Sequence, residues 1–216
     1  MGRHSLIGGL TLLLLLLAGC GKAPEPFPQC PLPQELESGA VVLEKIVLLP
    51  SRFMRSPAPA GTDSEAELAK GGAVLDQIIV DYLSCRDNTL SVDDERLQAL
   101  KINFTGSSNR ALAMHIAKEV GGDAVLIADI VTFQELEGSE YGAQQPASVA
   151  FNYQLIHLLT ETTICKGSYS ETQKPFLSDI LTLPQARKRR FKFVSATTLL
   201  QEGVNREFGN CKQISR

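Results

Sequence analysis

The chain has 216 residues, with 21 Lys and Arg against 24 Asp and Glu, a formal charge of −3 and 44% hydrophobic residues. That balance gives no basic footprint for nucleic acid. The length behind any leader and linker suits one domain with a real core and is short for two.

Residues 1–19 read as a targeting segment: Arg3 and His4, an apolar stretch Leu6–Leu17, then Ala18-Gly19 before Cys20. A membrane span needs about 20 apolar residues, and this block is shorter and ends in small residues. The four residues Leu17-Ala18-Gly19-Cys20 resemble the lipobox of bacterial lipoproteins. The resemblance implies cleavage before Cys20, thioether diacylation of its sulfur and acylation of the new N-terminus. Gly21 behind the cysteine resembles the signal for the outer membrane, so the expected place is that membrane's periplasmic face. An ordinary secretory signal containing a cysteine is the alternative. Loss of Arg3 leaves 20 basic against 24 acidic residues, a charge of −4.

Residues 20–38 hold the candidate lipidation site and a tether with prolines at 24, 26, 28, 31 and 33. Proline lacks the amide donor and stiffens the chain, so an extended linker is expected. Residues 39–216 form the predicted periplasmic α/β domain. Val41–Pro50 is its first strand, and Ser51–Thr62 a proline-containing loop. Thr62 or Ser64 can cap a helix, each with a glutamate three residues on. Leu68, Leu75, Ile79 and Tyr82/Leu83 make its core stripe. Gly71-Gly72 should weaken its first turns, so the firm part is expected from Ala73. A short strand Thr89–Val92, a short helix capped by Asp93, a loop Ile102–Ser108 and a helix Asn109–Val120 follow. His115 lies off that last helix's apolar stripe and reads as solvated.

Gly121-Gly122 closes the helix, because glycine tolerates a left-handed turn. Ala124–Val131 is apolar except for Asp129, as expected of a strand covered on both faces. Gln134–Pro146 reads as a polar loop. Ser148–Leu159 and Thr163–Thr172 read as a hairpin turning at Thr160–Thr162. Lys174–Leu183 is irregular. Arg187–Arg190 opens into a last helix with Ala196, Leu200, Val204 and Phe208 at helical spacing. The order predicts a five-stranded mixed sheet, three parallel strands first and the hairpin on one side, with helices on both faces.

Val41–Pro50, Asp81-Tyr82-Leu83, Asp94-Glu95-Arg96-Leu97, Gly121-Gly122-Asp123 with its strand, and Tyr153–Tyr169 occur in one order and spacing. Together they resemble the superfamily of small envelope lipoproteins that includes penicillin-binding-protein activators, the curli-secretion lipoprotein and a polysaccharide-export lipoprotein. The amino-terminal domain of the Tol-system propeller protein is similar too. The resemblance covers most of residues 41–208. It implies action through protein contacts or ring assembly, without catalysis or a cofactor. His157-Leu158-Leu159-Thr160 departs from the acidic residue and glycine common at that turn in relatives.

No G-x-S-x-G, P-loop, G-x-G-x-x-G or H-E-x-x-H pattern is present. Gly121-Gly122 precedes a strand and so is no phosphate cradle. His157 and Cys165 are too few for zinc, and a symmetric turn puts Cys165 opposite Leu158, on the other face. Spanning hairpins need 9–11 alternating residues per strand, which the Ser51–Thr62 and Gln134–Pro146 stretches lack.

Partner contacts are expected at Gln134–Pro146 (Glu135, Glu137) and at the Arg187–Phe193 segment (Arg187, Lys188, Arg189, Arg190). The bland readings are a solvated acidic face that includes Glu140 and a solvated basic run. The RKRR run could instead grip lipid A phosphate. The expected function is a non-enzymatic adaptor or regulator of an envelope assembly, a cell-wall synthase or an exporter. The alternative is a self-associating ring subunit of an export apparatus. Cys30, Cys85, Cys165 and Cys211 are disulfide candidates in an oxidising compartment. Cys85 and Cys211 should end their helices at one end of the sheet and pair, with Cys30 as competitor. An inert Cys165 with three free thiols is the other possibility.

Overall fold

The computed structural model describes residues 42–51, 63–100, 109–174, 187, 189 and 192–215. The expected signal segment, Cys20, the tether with Cys30, the caps at Thr62 and Ser64, and the Ile102–Ser108 loop lie outside the described residues or side chains. So do all but Ser51 of the Ser51–Thr62 loop and all but Lys174 of Lys174–Leu183. The elements run β1 (Ile46–Leu48), α1 (Asp63–Leu83), β2 (Thr89–Ser91), α2 (Asp94–Ala99), α3 (Asn109–Glu119), β3 (Ala124–Gln134), β4 (Glu137–Ser139), β5 (Gly142–Gln145), β6 (Ser148–His157), β7 (Thr163–Thr172) and α4 (Ala196–Gly209).

The main sheet has the order β2-β1-β3-β6-β7. β1 pairs in parallel with β2 and β3, and the β6–β7 hairpin continues antiparallel from β3. This is the expected five-stranded mixed sheet. Its alternating side chains feed two cores, as strand geometry requires. Ile46, Leu48, Leu126 and Ile130 face α1 and α4, where they meet Leu75, Ile79, Leu200 and Phe208. Val47, Leu49, Val125 and Ile127 face the opposite way, onto Leu97 of α2 and Leu112, Ile116 and Ala117 of α3. Helices thus cover both faces, and β3 is buried on both sides as its composition demands. Each large side chain so buried contributes about 1.5–3 kcal/mol of apolar transfer. Among the described residues no helix is long and apolar enough to cross a membrane.

The α3–β3 junction follows from its glycines. Gly121 has φ of +72°, the left-handed residue that ends α3. A Cβ on Gly122 would fall 2.4 Å from Val47 Cγ2. Asp123 then binds the chain ahead of β1: its carboxylate accepts from Glu44 N at 2.6 Å and Lys45 N at 2.9 Å.

Four expectations need correction. β1 has three residues, not the ten of Val41–Pro50. α1 begins at Asp63 and runs through Gly71-Gly72, because these glycines admit close neighbours. A Cβ on Gly71 would lie 2.4 Å from Phe133, and one on Gly72 2.6 Å from Ser51 Oγ. The Gln134–Pro146 stretch is not a simple loop, since it carries the β4–β5 hairpin. The β6–β7 turn sits earlier than Thr160–Thr162: His157 N donates to Thr162 O, and Glu161 takes φ of +55°.

Counted from Leu159 opposite Thr163, a symmetric Thr160–Thr162 turn sets His157, not Leu158, opposite Cys165, so the expected pairing is one residue out and on the wrong face. Cys165 stands opposite Leu155, not Leu158, with an irregularity between Leu155 and Ile156. A register change by an odd number of residues moves a strand's whole pattern to the other face. Cys165 therefore faces α4 and is bonded to Cys211, with Cα atoms 5.9 Å apart. Cys85 and Cys211 do end neighbouring helices at one end of the sheet, where the Tyr82 and Phe208 rings meet edge-on at 5.4 Å. The expected Cys85–Cys211 bond is nonetheless not formed. Nor is Cys165 inert.

Candidate functional site

The end of the sheet where β3 finishes bears Glu135, Glu137 and Arg189 of the residues expected to contact a partner. Glu135 follows β3 directly. Its carboxylate pairs with Lys70 of α1 at 3.4 Å and accepts from Ala196 N, the first residue of α4, at 3.3 Å. A carboxylate at a helix N-terminus is favoured by the exposed amides and the helix dipole. Glu135 therefore ties α1, β3 and α4 together and is not part of a merely solvated face.

The β4–β5 hairpin rises beyond it. Glu137 is exposed on β4 opposite Gln145. At the tip, Tyr141 is 68% exposed. Such a residue on a protruding loop, with a flat amphipathic ring and little side-chain entropy to lose, is suited to contact. Two attachments hold the hairpin to the segment before α4. Phe193 N donates to Glu140 O at 2.8 Å, and Lys192 Nζ reaches both Glu140 carboxylate oxygens at 3.0 Å. Lys192 Nζ also lies 5.1 Å from the Tyr141 ring centre. Hydrogen bonding to Tyr141, then to Glu140, raises the Lys192 ammonium above its ordinary value. Glu140 is thus engaged rather than simply solvated.

The basic run divides. Arg187 is exposed, and Lys188 and Arg190 lie outside the described residues. Arg189 is no surface contact: its side chain is only 9% exposed. Its guanidinium donates to Glu171 Oε1 at 2.6 Å and pairs with both carboxylate oxygens of Glu202. Tyr169 OH donates to the other Glu171 oxygen at 2.6 Å, and Arg206 lies over the Tyr169 ring at 4.4 Å. Burial pushes the Glu171 carboxyl up, but hydrogen bonds from Arg189 and Tyr169 outweigh it and hold it below the ordinary value. Burial, with the Glu171 hydrogen bond, raises the Tyr169 phenol. Arg189 thus locks β7 to α4. Glu171 and Glu202, its partners, carried no motif in the sequence, whereas Tyr141 and Lys192 lie inside the two expected contact segments without being singled out there.

A second feature lies at the carboxyl ends of β1 and β2, on the α1 side. A cavity of about 430 Å³ is lined there by Leu48, Leu126, Ala128, Ile79 and Val92, with Asp76 and Gln77 on its wall. Asp76 is engaged with Ser51, whose amide donates to it at 2.8 Å. His115 is exposed on α3, as expected. His157 Nδ1 is within 2.8 Å of Thr160 Oγ1 in the turn. The Cys165 sulfur is committed to Cys211.

Neither a protein-family model nor a curated protein sequence matches the chain. Solved structures do. The PelC dodecamer from Paraburkholderia phytofirmans is similar at 11% identity, over 80% of this chain and 89% of that one, with a TM-score of 0.42. Lipoprotein GNA1162 from Neisseria meningitidis is 14% identical over 68% of this chain and 93% of its own, with a TM-score of 0.39. The LpoB C-terminal domain from Escherichia coli is 19% identical over 64% and 90%, with a TM-score of 0.36.

Proposed function

We propose that the mature chain begins at Cys20, lipidated through its sulfur, and hangs in the periplasm from the outer membrane by residues 20–38. Residues 39–216 then act as a non-enzymatic adaptor or regulator of an envelope assembly, such as a cell-wall synthase or an exporter. The observation that carries this reading is the β4–β5 hairpin, which presents an exposed Tyr141 and Glu137 on a braced support. A rigid projection loses little entropy on binding, and a tethered domain gains effective concentration near its target. Modest affinity then suffices.

The test is crosslinking in cells from a photoreactive residue at position 141, with mass spectrometry of what is captured. One dominant envelope protein other than this chain supports the adaptor. Recovery of self-crosslinks alone would overturn it in favour of a ring subunit. Hydrolytic activity abolished by changing one acidic residue would overturn both.

A further inference from the structure

Cys85 lies two residues beyond Leu83, the end of α1, and is in a disulfide. Cys165 and Cys211 are bonded to each other, so neither is its partner. The chain has five cysteines, which leaves Cys20 and Cys30. In the reading proposed above, on which this step rests, the Cys20 sulfur is a thioether and has no thiol to oxidise. We infer that Cys85 is bonded to Cys30, and that this bond fastens the proline-rich tether to the domain.

The described chain enters the domain at the right place for this. Leu43 O accepts from Asn88 Nδ2 at 2.8 Å, and Ile46 N donates to Asn88 O at 2.7 Å, so the entering strand runs beside the turn that follows Cys85. Cys30 is twelve residues ahead of Val42 and lies outside the described residues. Twelve residues reach at most about 40 Å, ample to return to a cysteine beside the entry point. The bond forms by thiol–disulfide exchange with an oxidising dithiol–disulfide protein of the compartment. One cysteine thiolate attacks that protein's disulfide, and the second then displaces it from the mixed disulfide. The Cys30–Cys85 bond forms as the carrier's S–S bond breaks, and the two electrons and two protons stay on the carrier as two thiols.

The crosslink sets reach and orientation. Nine residues, Gly21–Gln29, separate the anchor from the clamp. At about 3.1 Å per residue they span roughly 30 Å, against about 65 Å for the unclamped stretch up to Val42. The end of the sheet that bears Cys85 then turns toward the bilayer. Val42 (66% exposed) and Leu159 (86% exposed), at the tip of the β6–β7 turn, lie at this same end. The β4–β5 hairpin stands at the other end and points away from the membrane, toward whatever the domain engages.

The test uses the full lipoprotein purified from membranes, alkylated without reduction and digested with trypsin. The peptide Ala23–Lys45 should appear joined to Gly71–Arg86, and the pair should separate on reduction. Glu119–Lys166 joined to Glu207–Lys212 is the internal control. Alkylated Cys85, or Cys85 joined to any peptide but the one holding Cys30, would overturn the inference. Alkylated Cys20 beside an intact Cys30–Cys85 pair would overturn the anchor alone, and a Cys20–Cys85 pair would overturn both.

Discussion

Gly71 of α1 lies against Phe133 of β3 so closely that a methyl group on it would come within 2.4 Å of the ring and 2.5 Å of its Cβ. Glycine inside a helix costs about 1 kcal/mol relative to alanine. Here the cost is accepted because the backbone of α1 must approach the sheet. Gly71→Ala should therefore destabilise by about 1–3 kcal/mol, the range for overpacking, despite its better helix propensity. Urea unfolding of the purified protein measures it. A gain in stability would show that Phe133 swings away freely.

Arg189 and Glu171 should behave as parts of the core. Arg189→Met leaves two carboxylates, each partly exposed, without their cation. We expect a loss of about 1–3 kcal/mol, below the 3–5 of a fully buried pair because water screens the acids. Arg187→Ala, at an exposed site nearby, should stay within about 0.5 kcal/mol. Equal losses in the two variants would remove the distinction drawn between them.

The same cluster predicts a pH dependence. The folded Glu171 value lies below the unfolded one, so its contribution is complete above the unfolded value of about 4.3. It is lost as pH falls through the lower, folded value. Stability measured from pH 7 down to pH 3 should fall less steeply in Arg189→Met than in the parent, because the ion that depresses Glu171 is gone. Parallel curves would show that the pair does not couple to protons.

The Cys165–Cys211 bond closes a separation of 46 residues. The chain-entropy model gives it about 4 kcal/mol, with smaller values common in practice. The doubly substituted Cys165→Ser, Cys211→Ser protein should unfold at correspondingly lower denaturant, and reductant should lower the parent toward it. Cys85→Ser with Cys211 intact should keep the Cys165–Cys211 bond in a non-reducing peptide map.

Tyr141→Ala should separate binding from folding. The side chain is exposed at a hairpin tip, so unfolding should change by less than about 0.5 kcal/mol. Loss of an aromatic contact at a partner interface commonly exceeds about 1.4 kcal/mol, which is tenfold in capture. Unchanged capture in cells would move the contact surface away from this hairpin.

Local pattern and tertiary placement divide this chain clearly. The apolar run Ala124–Val131, the stripe Leu75–Ile79–Leu83 and the glycine pair before Asp123 specify β3, α1 and the stop of α3 by themselves. Each is a short-range signal: side-chain period, helix spacing, or the left-handed freedom of Gly121. From those elements the five-stranded mixed sheet and its two covered faces followed. The role of Arg189 did not, because nothing local distinguishes it from exposed Arg187. Only packing of β7 against α4 brings Glu171 and Glu202 around it. Gly71 looked like a weakness for the same reason, since its neighbour Phe133 is 62 positions away. The disulfide turned on less still. The pairing of Cys165 with Leu155, set jointly by the turn and by one irregularity at Leu155/Ile156, puts Cys165 on the α4 side of the sheet, within reach of Cys211. Register is a collective property of two strands and the cores they bury, so no residue near Cys165 announces which face it takes.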